Sequence, residues 1–328
     1  MVTNKQNKWN ISSKNGILLF FLILALAFPL ISSDNYILGI SISANIGAVY
    51  AASWDLISGV TGQFSFGHAL FFGVASYLSG YLNLFFGLPP WLSIPLGGTF
   101  GVLVGFIVGL PSLRIKGPYF RIVSLIFPVI LAAFIFTFPE ITGNKYGGLS
   151  GLSQISNNIV ITYYASLVLL LVSIYILLRI LSSGIGLVFR SIREDEDVAE
   201  ATGINTTKYK LLAWSISGFF AGIAGGFHIH QIGAIDPSIF GVFYSFQAVL
   251  WAVLGGIGTI IGSVLGSYIM RILNEFLRQI VDLRALVFAA SMIFVYLFLP
   301  MGIYRWLATR YNIQIGTWDQ LKKLRSKK

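Results

Sequence analysis

The chain has no cysteine, which excludes a disulfide framework, a thiolate metal site and a cysteine nucleophile. Charge is scarce as well: Asp, Glu, Lys and Arg make up only 10% of the 328 residues, with 12 acids and 3 histidines in the whole chain. No GxxxxGK[ST] run occurs, so the chain has no phosphate-cradling loop of its own, and any ATP chemistry belongs to another polypeptide. The apolar runs hold no cluster of His, Asp and Glu and no nucleophile beside a base, which argues against an intramembrane enzyme. Low-complexity segments are missing too.

What is abundant is apolar surface. Hydrophobic residues are 56% of the chain, a composition outside the soluble range, and they gather in runs of membrane-spanning length. Runs at 17–33, 37–54, 66–86, 91–110, 119–138, 160–180 and 211–231 each predict a crossing helix. The first, after Lys5, Lys8 and Lys14, resembles a signal peptide but lacks a small-residue cleavage pattern, so it reads as a retained helix. Basic residues cluster at Lys5–Lys14, Arg114–Arg121, Arg179–Lys210 and in the tail from Arg305, and the positive-inside rule puts all four on the cytoplasmic face. An internal tail then needs an odd number of further crossings after 232, and 241–256, 259–280 and 285–303 supply them. The expectation is an all-α polytopic membrane protein with about ten transmembrane helices and both termini cytoplasmic. Its parts are an N-terminal tail at 1–16, a membrane domain at 17–304 with a cytoplasmic loop at 181–210, and a basic tail at 305–328. The net charge of +10 fits this topology and anionic lipid headgroups, with no nucleic-acid partner implied.

Three segments carry glycine at every fourth position: Gly97, Gly101, Gly105 and Gly109; Gly218, Gly222 and Gly226; Gly258, Gly262 and Gly266. Residues four apart share a helix face, so each ladder predicts a close packing seam along which helices slide. Between Gly59 and Phe72 the polar stretch Thr61-Gly62-Gln63-Phe64-Ser65 runs through Gly67 and His68 into Phe71. Polar backbone entering a membrane segment predicts a broken helix lining a cavity, with His68 either on the substrate path or satisfied at a helix end. His228 and His230 lie two apart, on different helix faces, and read as interfacial polar residues better than as metal ligands. Pro89-Pro90 and Asp236-Pro237 read as turns on the outer side. The glycine-rich 142–152 segment reads as an external loop, a solvated connector or a meeting point for a delivery protein.

Residues 181–210 form the one strongly charged island. Glu194, Asp195, Glu196, Asp197 and Glu200 stand beside Arg190, Arg193, Lys208 and Lys210. At about 2.5–3.5 kcal/mol for each charge at a bilayer centre, this segment must face water. Val188, Phe189, Ile192 and Ala199 fall on one side, predicting a short amphipathic helix over 187–203 with Gly203 as its left-handed cap and Thr206 or Thr207 capping the next helix. Arg190 with Glu194, and Arg193 with Asp197, are spaced as intrahelical pairs, and the surplus acids face a partner rich in basic groups.

Four stretches resemble the membrane subunit of branched-chain amino acid ABC importers, in its larger, M-type form. They are Gly62-Gln63-Phe64-Ser65-Phe66-Gly67-His68-Ala69 through Tyr77; Gly117 through Leu125; Arg190-Ser191-Ile192-Arg193-Glu194-Asp195-Glu196 through Glu200-Ala201-Thr202-Gly203-Ile204-Asn205; and Gly255-Gly256-Ile257-Gly258-Thr259. The resemblance implies a type II importer permease fold and several partners: a second permease sharing the path, two ATP-binding subunits holding ATP and Mg, and an extracytoplasmic binding protein. It maps an ATPase-coupling role onto Arg190, Arg193, Glu194 to Asp197, Glu200, Ala201 and Gly203. It maps a translocation-path role onto Gln63, Ser65, Gly67, His68, Phe71, Gly255 and Gly256. The implied cargo is a branched-chain amino acid, with urea or a short amide as the alternative. An ion-coupled secondary transporter is the rival from another class; it would need intramembrane carboxylates, for which Glu275 and Asp282 are the candidates.

Overall fold

A computed structural model describes residues 23–32, 34–112, 118–142, 147–276, 290, 302–304 and 306. Helix α1 covers 23–31, followed by α2 (Asn35–Asp55), α3 (Ala69–Phe86), α4 (Pro90–Ser112), α5 (Pro118–Thr137), α6 (Ile159–Ser182), α7 (Gly184–Glu194), α8 (Glu196–Ala201), α9 (Thr206–Ile232), α10 (Val242–Gly255) and α11 (Ile260–Phe276). A two-stranded ribbon, β1 (Leu149–Ser150) against β2 (Ala234–Ile235), pairs Leu149 with Ile235 and Ser150 with Ala234.

Among the described residues six helical stretches are long and apolar enough to cross a membrane: Asn35–Val60, Ala69–Phe86, Pro90–Pro111, Tyr119–Thr137, Ile159–Ser182 and Thr206–Ile232. These match six of the predicted spans within a few residues. The expected eighth and ninth crossings differ in form. Val242–Gly255 and Ile260–Phe276 make a pair bent by 112°, a broken span or re-entrant element that counts as a seventh candidate when taken as one. The cause is local. Gly256 and Gly258 take φ values of +127° and +78°, a turn that L side chains resist, and the 14 residues of α10 reach only about 21 Å against a hydrocarbon core of about 30 Å. The predicted first span is described only from residue 23, and the predicted tenth, 285–303, and the tail lie outside the described residues apart from 290, 302–304 and 306.

Helix α2 is the axis of the bundle. It packs on α6, α9, α10 and α11, and from Ala44 to Thr61 every residue is buried. Its start is capped by Asp34, whose Oδ1 accepts from the Tyr36 amide at 2.9 Å. Helix α1 is hooked on by Tyr163 and Tyr164 of α6, whose hydroxyls donate to the carbonyls of Ala25 and Leu26 at 2.8 and 3.0 Å.

The glycine ladders become seams, and the first two face each other. A methyl at Gly218 of α9 would sit 2.6 Å from the Gly101 carbonyl oxygen of α4, and one at Gly222 would sit 2.9 Å from Ala75 and 3.1 Å from Gly98. The third ladder closes α11 on α10, where a methyl at Gly262 would lie 2.7 Å from the Gly255 carbonyl oxygen. In a membrane, where lipid tails are as apolar as leucine, such backbone approach supplies the dispersion energy that holds helices together. Substituting Gly101 with Val should therefore destabilise the bundle by about 1–3 kcal/mol, read as a fall in the melting temperature of the detergent-purified protein. Gly39→Ala, where a methyl meets nothing within 4 Å, should leave it unchanged.

Candidate functional site

Helix α2 does not end cleanly. Its last residue, Asp55, leads into a π-helical turn, Leu56–Val60, and then into irregular backbone over residues 61–68 before α3 begins at Ala69. The break that the polar stretch predicts is present, with the next helix starting three residues later than its apolar run.

Backbone released by a break inside a membrane must be satisfied by protein groups. Thr61 Oγ1 donates to the Leu56 carbonyl at 2.9 Å, and Ser58 Oγ donates to the Gln63 carbonyl at 3.1 Å. The Ser65 amide donates back to Ser58 Oγ at 3.2 Å, while the indole of Trp54 donates to the Ser65 carbonyl at 2.7 Å. Two remote serines complete the set. Ser124 of α5 accepts from the Phe66 amide at 2.9 Å, and Ser245 of α10 accepts from the Ala69 amide at 3.1 Å. Gly67 lies against the Ser124 carbonyl with no room for a Cβ.

His68 is fully buried, its ring 5.0 Å from Tyr50 and 5.6 Å from Phe71, with Nε2 2.8 Å from Ser53 Oγ. Ser53 already donates its one hydroxyl proton to the Tyr50 carbonyl at 2.7 Å. Of the residues assigned to the path from sequence, Ser65, Gly67, His68 and Phe71 are thus buried against neighbours of their own chain, whereas Gln63 is half-buried beside the exposed Gly62.

A second break lies next to the first. In Gly255-Gly256-Ile257-Gly258-Thr259, Thr259 Oγ1 donates to the Gly256 carbonyl at 2.5 Å, and the Gly258 amide donates to Asp55 Oδ1 at 2.6 Å. Asp55 is completely buried and joins the two breaks directly. Sequence reasoning passed over it as an acid at a helix end. The available signal was Leu56-Ile57 after it, which keeps the apolar run going and leaves the acid inside.

Both breaks receive one further side chain. Arg193 of α7 donates its Nη1 to the Gly59 carbonyl, methyls at Gly62 would come within 3.1 Å of its Cα and Cγ, and one at Gly258 would meet its Nη1 at 2.5 Å. The charged island is therefore mechanically tied to both breaks.

The island itself is two helices, where the pattern predicted one. Asp195 leaves helical geometry, and its Oδ1 accepts from the Val198 amide at 3.0 Å, ending α7 and capping α8. Arg193 and Asp197 consequently do not share a continuous helix. Phe189, Ile192 and Ala199 face inward as predicted, and Gly203 takes φ +89°. Asn205, ahead of Thr206 and Thr207, caps α9 by accepting from the Lys208 amide at 2.9 Å. Glu194, Asp195, Asp197, Glu200 and Ala201 are exposed, but Glu196 turns away from that face to pair with the buried Lys210. Burial lowers the pKa of the half-buried Arg190 guanidinium.

The family model described as branched-chain amino acid transport system, permease component, matches residues 36–296, which includes both breaks and the charged helix pair. The chain belongs to this family of permeases. The high-affinity branched-chain amino acid transport system permease protein LivM of Salmonella typhimurium is 26% identical over 318 residues, covering 87% of this chain and 74% of its own. The corresponding BraD of Pseudomonas aeruginosa is 25% identical across 78% of this chain and 90% of its own. The fructose import permease protein FrcC of Rhizobium meliloti is 27% identical over 62% of this chain and 60% of its own. No solved structure matches the chain.

At the opposite end of the permease, the β-ribbon is pinned by His230. Its Nε2 lies 3.1 Å from the hydroxyls of both Ser79 and Ser93, joining α3 and α4, and its Nδ1 lies 2.7 Å from the Ser153 carbonyl in the loop after β1. His228, one turn surface away, instead lines a cavity of about 330 Å³.

If Arg193 braces the breaks, Arg193→Ala should speed hydrogen–deuterium exchange at the amides around 59–62 and 258, reflecting loss of about 1–3 kcal/mol of local stability. Arg193→Lys should restore part of the protection. Unaltered exchange in the alanine variant would refute the brace.

Proposed function

We propose that this permease is one membrane-spanning half of an ATP-driven importer for branched-chain or related amino acids. A second permease forms the other half of the path, two ATP-binding subunits holding ATP and magnesium dock on the charged helix pair, and an extracytoplasmic binding protein delivers cargo to the ribbon end. The observation that carries this reading is Arg193: a side chain from the most water-exposed, charged element reaches into both backbone breaks of the membrane bundle.

In this mechanism the ATP-binding subunits move α7 and α8 as they close. Phe189, Ile192 and the Glu196–Lys210 pair couple that motion to α9, and Arg193 couples it to the 61–68 and 255–259 breaks. The breaks are adjacent to half-buried Gln63, and their rearrangement opens or closes the path. Ser65, Gly67, His68 and Phe71 act by holding the broken segment in shape, and Gly255 and Gly256 by allowing α10 to turn into α11. The topology proposed has about ten membrane segments, the bent pair supplying the eighth and ninth, with both termini and the charged helix pair cytoplasmic and the net charge of +10 matched to anionic lipid. ATP hydrolysis belongs to the partners, and this chain is a transport subunit without enzymatic activity.

The similarity to a fructose import permease shows that related chains serve different cargo, so the aliphatic amino acid assignment rests on the LivM and BraD relatives. Buried Asp55 is the observation that favours an ion-coupled carrier instead. Its Oδ1 is engaged by the Gly258 amide, which fits a structural tie.

Replacing Glu194, Asp195, Asp197 and Glu200 together with Lys should abolish co-purification of the ATP-binding subunits while leaving the permease folded. Retained assembly and uptake would refute docking at this face. Glu196→Gln acts differently: by stranding buried Lys210 it should lower stability by about 1–3 kcal/mol, measured as a melting shift. Collapsing the proton gradient at constant ATP should leave uptake intact; loss of uptake would favour the ion-coupled reading.

A further inference from the structure

A cavity of about 330 Å³ lies at the ribbon end and combines two chemistries. One part of its lining is polar, with Asp236, His228 and Tyr244, and another is aliphatic, with Leu149, Ile235 and Ile239. Its volume is at the bottom of the range of small-molecule pockets, about 300–1,000 Å³, and so suits a ligand of few atoms.

The two chemistries are held in place independently. Asp236 caps the 3-10 turn Pro237–Phe240 by accepting from the Ser238 amide at 2.8 Å, which leaves lone pairs on a carboxylate for a cationic donor. Leu149 and Ile235 are register partners in the ribbon, so the aliphatic wall is set by backbone pairing. On the other side, Arg271 of α11 lies within electrostatic reach of both His228 and Tyr244, and among the described residues its buried Nε has no hydrogen-bond partner. Arg271 does not line the cavity and has Glu275 of the same helix within electrostatic reach, so it adds only a partly offset positive potential near His228 and Tyr244. The cavity therefore offers an anionic carboxylate, Asp236, within electrostatic reach of the hydrogen-bonding Tyr244, with His228 also in its lining, together with an apolar wall. His228 also packs on Phe72, 5.5 Å away, and Phe72 on Tyr50 at 4.6 Å, so the cavity adjoins the aromatic cluster above the broken segment.

We infer that this cavity is a subsite for a free aliphatic amino acid, with its ammonium on Asp236, its carboxylate toward Tyr244 and His228, and its branched side chain against Leu149, Ile235 and Ile239. The inference rests on the importer reading above and adds to it a place in the permease itself that recognises the cargo. Urea would leave both the charge and the aliphatic wall unused.

The test is equilibrium binding of radiolabelled leucine to the purified membrane complex with no binding protein present, with 4-methylpentanoate, which is leucine without its ammonium, as competitor. Asp236→Asn keeps an oxygen for the cap while removing the charge, and Tyr244→Phe removes only a hydroxyl, so both variants should fold, as their melting temperatures would report. Asp236→Asn should weaken leucine about tenfold or more and leave 4-methylpentanoate unaffected, whereas Tyr244→Phe should weaken both. Equal losses for both ligands in Asp236→Asn, or no loss in either variant, overturn the subsite. ATP-driven leucine uptake by the wild-type complex with its binding protein separates the two readings. Uptake without saturable binding in the isolated complex overturns the subsite alone, and no amino acid uptake overturns the importer reading.

Discussion

Breaking a helix within hydrocarbon exposes amides and carbonyls that lipid cannot satisfy, and that constraint organises this permease. The chain breaks twice, at residues 61–68 and 256–259, and the freed groups are met by serines, threonines, the Trp54 indole, the Asp55 carboxylate and the Arg193 guanidinium, and by neighbouring backbone, as where the Gln63 amide donates to the Ile57 carbonyl. Several of these partners come from distant sequence: Ser124 from α5, Ser245 from α10, Arg193 from α7. The breaks are consequently braced rather than loose. Moving any of the bracing helices forces the broken backbone to exchange hydrogen bonds, which favours two discrete arrangements over a continuum.

Glycine does the complementary work between helices. The α4–α9 seam and the α10–α11 turn bring backbones so close that a single methyl would collide, and this intimacy replaces the hydrophobic drive that lipid removes. A seam of glycines has little side-chain relief, so it resists separation while presenting a smooth surface. Rigid packing and the braced breaks meet on α2, the element on which α6, α9, α10 and α11 converge.

The few charges are divided by task. Glu194, Asp195, Asp197 and Glu200 stay in water, where ionised groups carry no desolvation penalty and are available to a partner. Lys210 and Asp55 are buried, with Glu196 and the Gly258 amide as their counterparts, while the exposed Arg193 reaches the Gly59 carbonyl with its Nη1. Asp236 lines the ribbon-end cavity, and Arg271 of α11 lies within electrostatic reach of its Tyr244. In a chain so poor in charge, each inward ion marks a junction between elements.

Hydropathy, glycine spacing and charge placement were enough to determine the membrane class, six of the spans, the packing seams, the break after Gly59 and the water-facing island, because each depends on the transfer energy or steric size of residues along one helix. Tertiary structure alone decided the rest. The island split at Asp195 because a side-chain cap competed with helix continuation, a balance that spacing does not reveal. Glu196 turned from the exposed acidic face because Lys210 lies buried beside it, and Asp55 became a tie because Gly258, some two hundred residues on, brings its amide there. His228 and His230 lie two apart in sequence yet serve a cavity and a clamp respectively, since the partners that distinguish them come from α3, α4 and the ribbon end. Pairings of this kind depend on which distant backbone arrives, and only the folded bundle sets that.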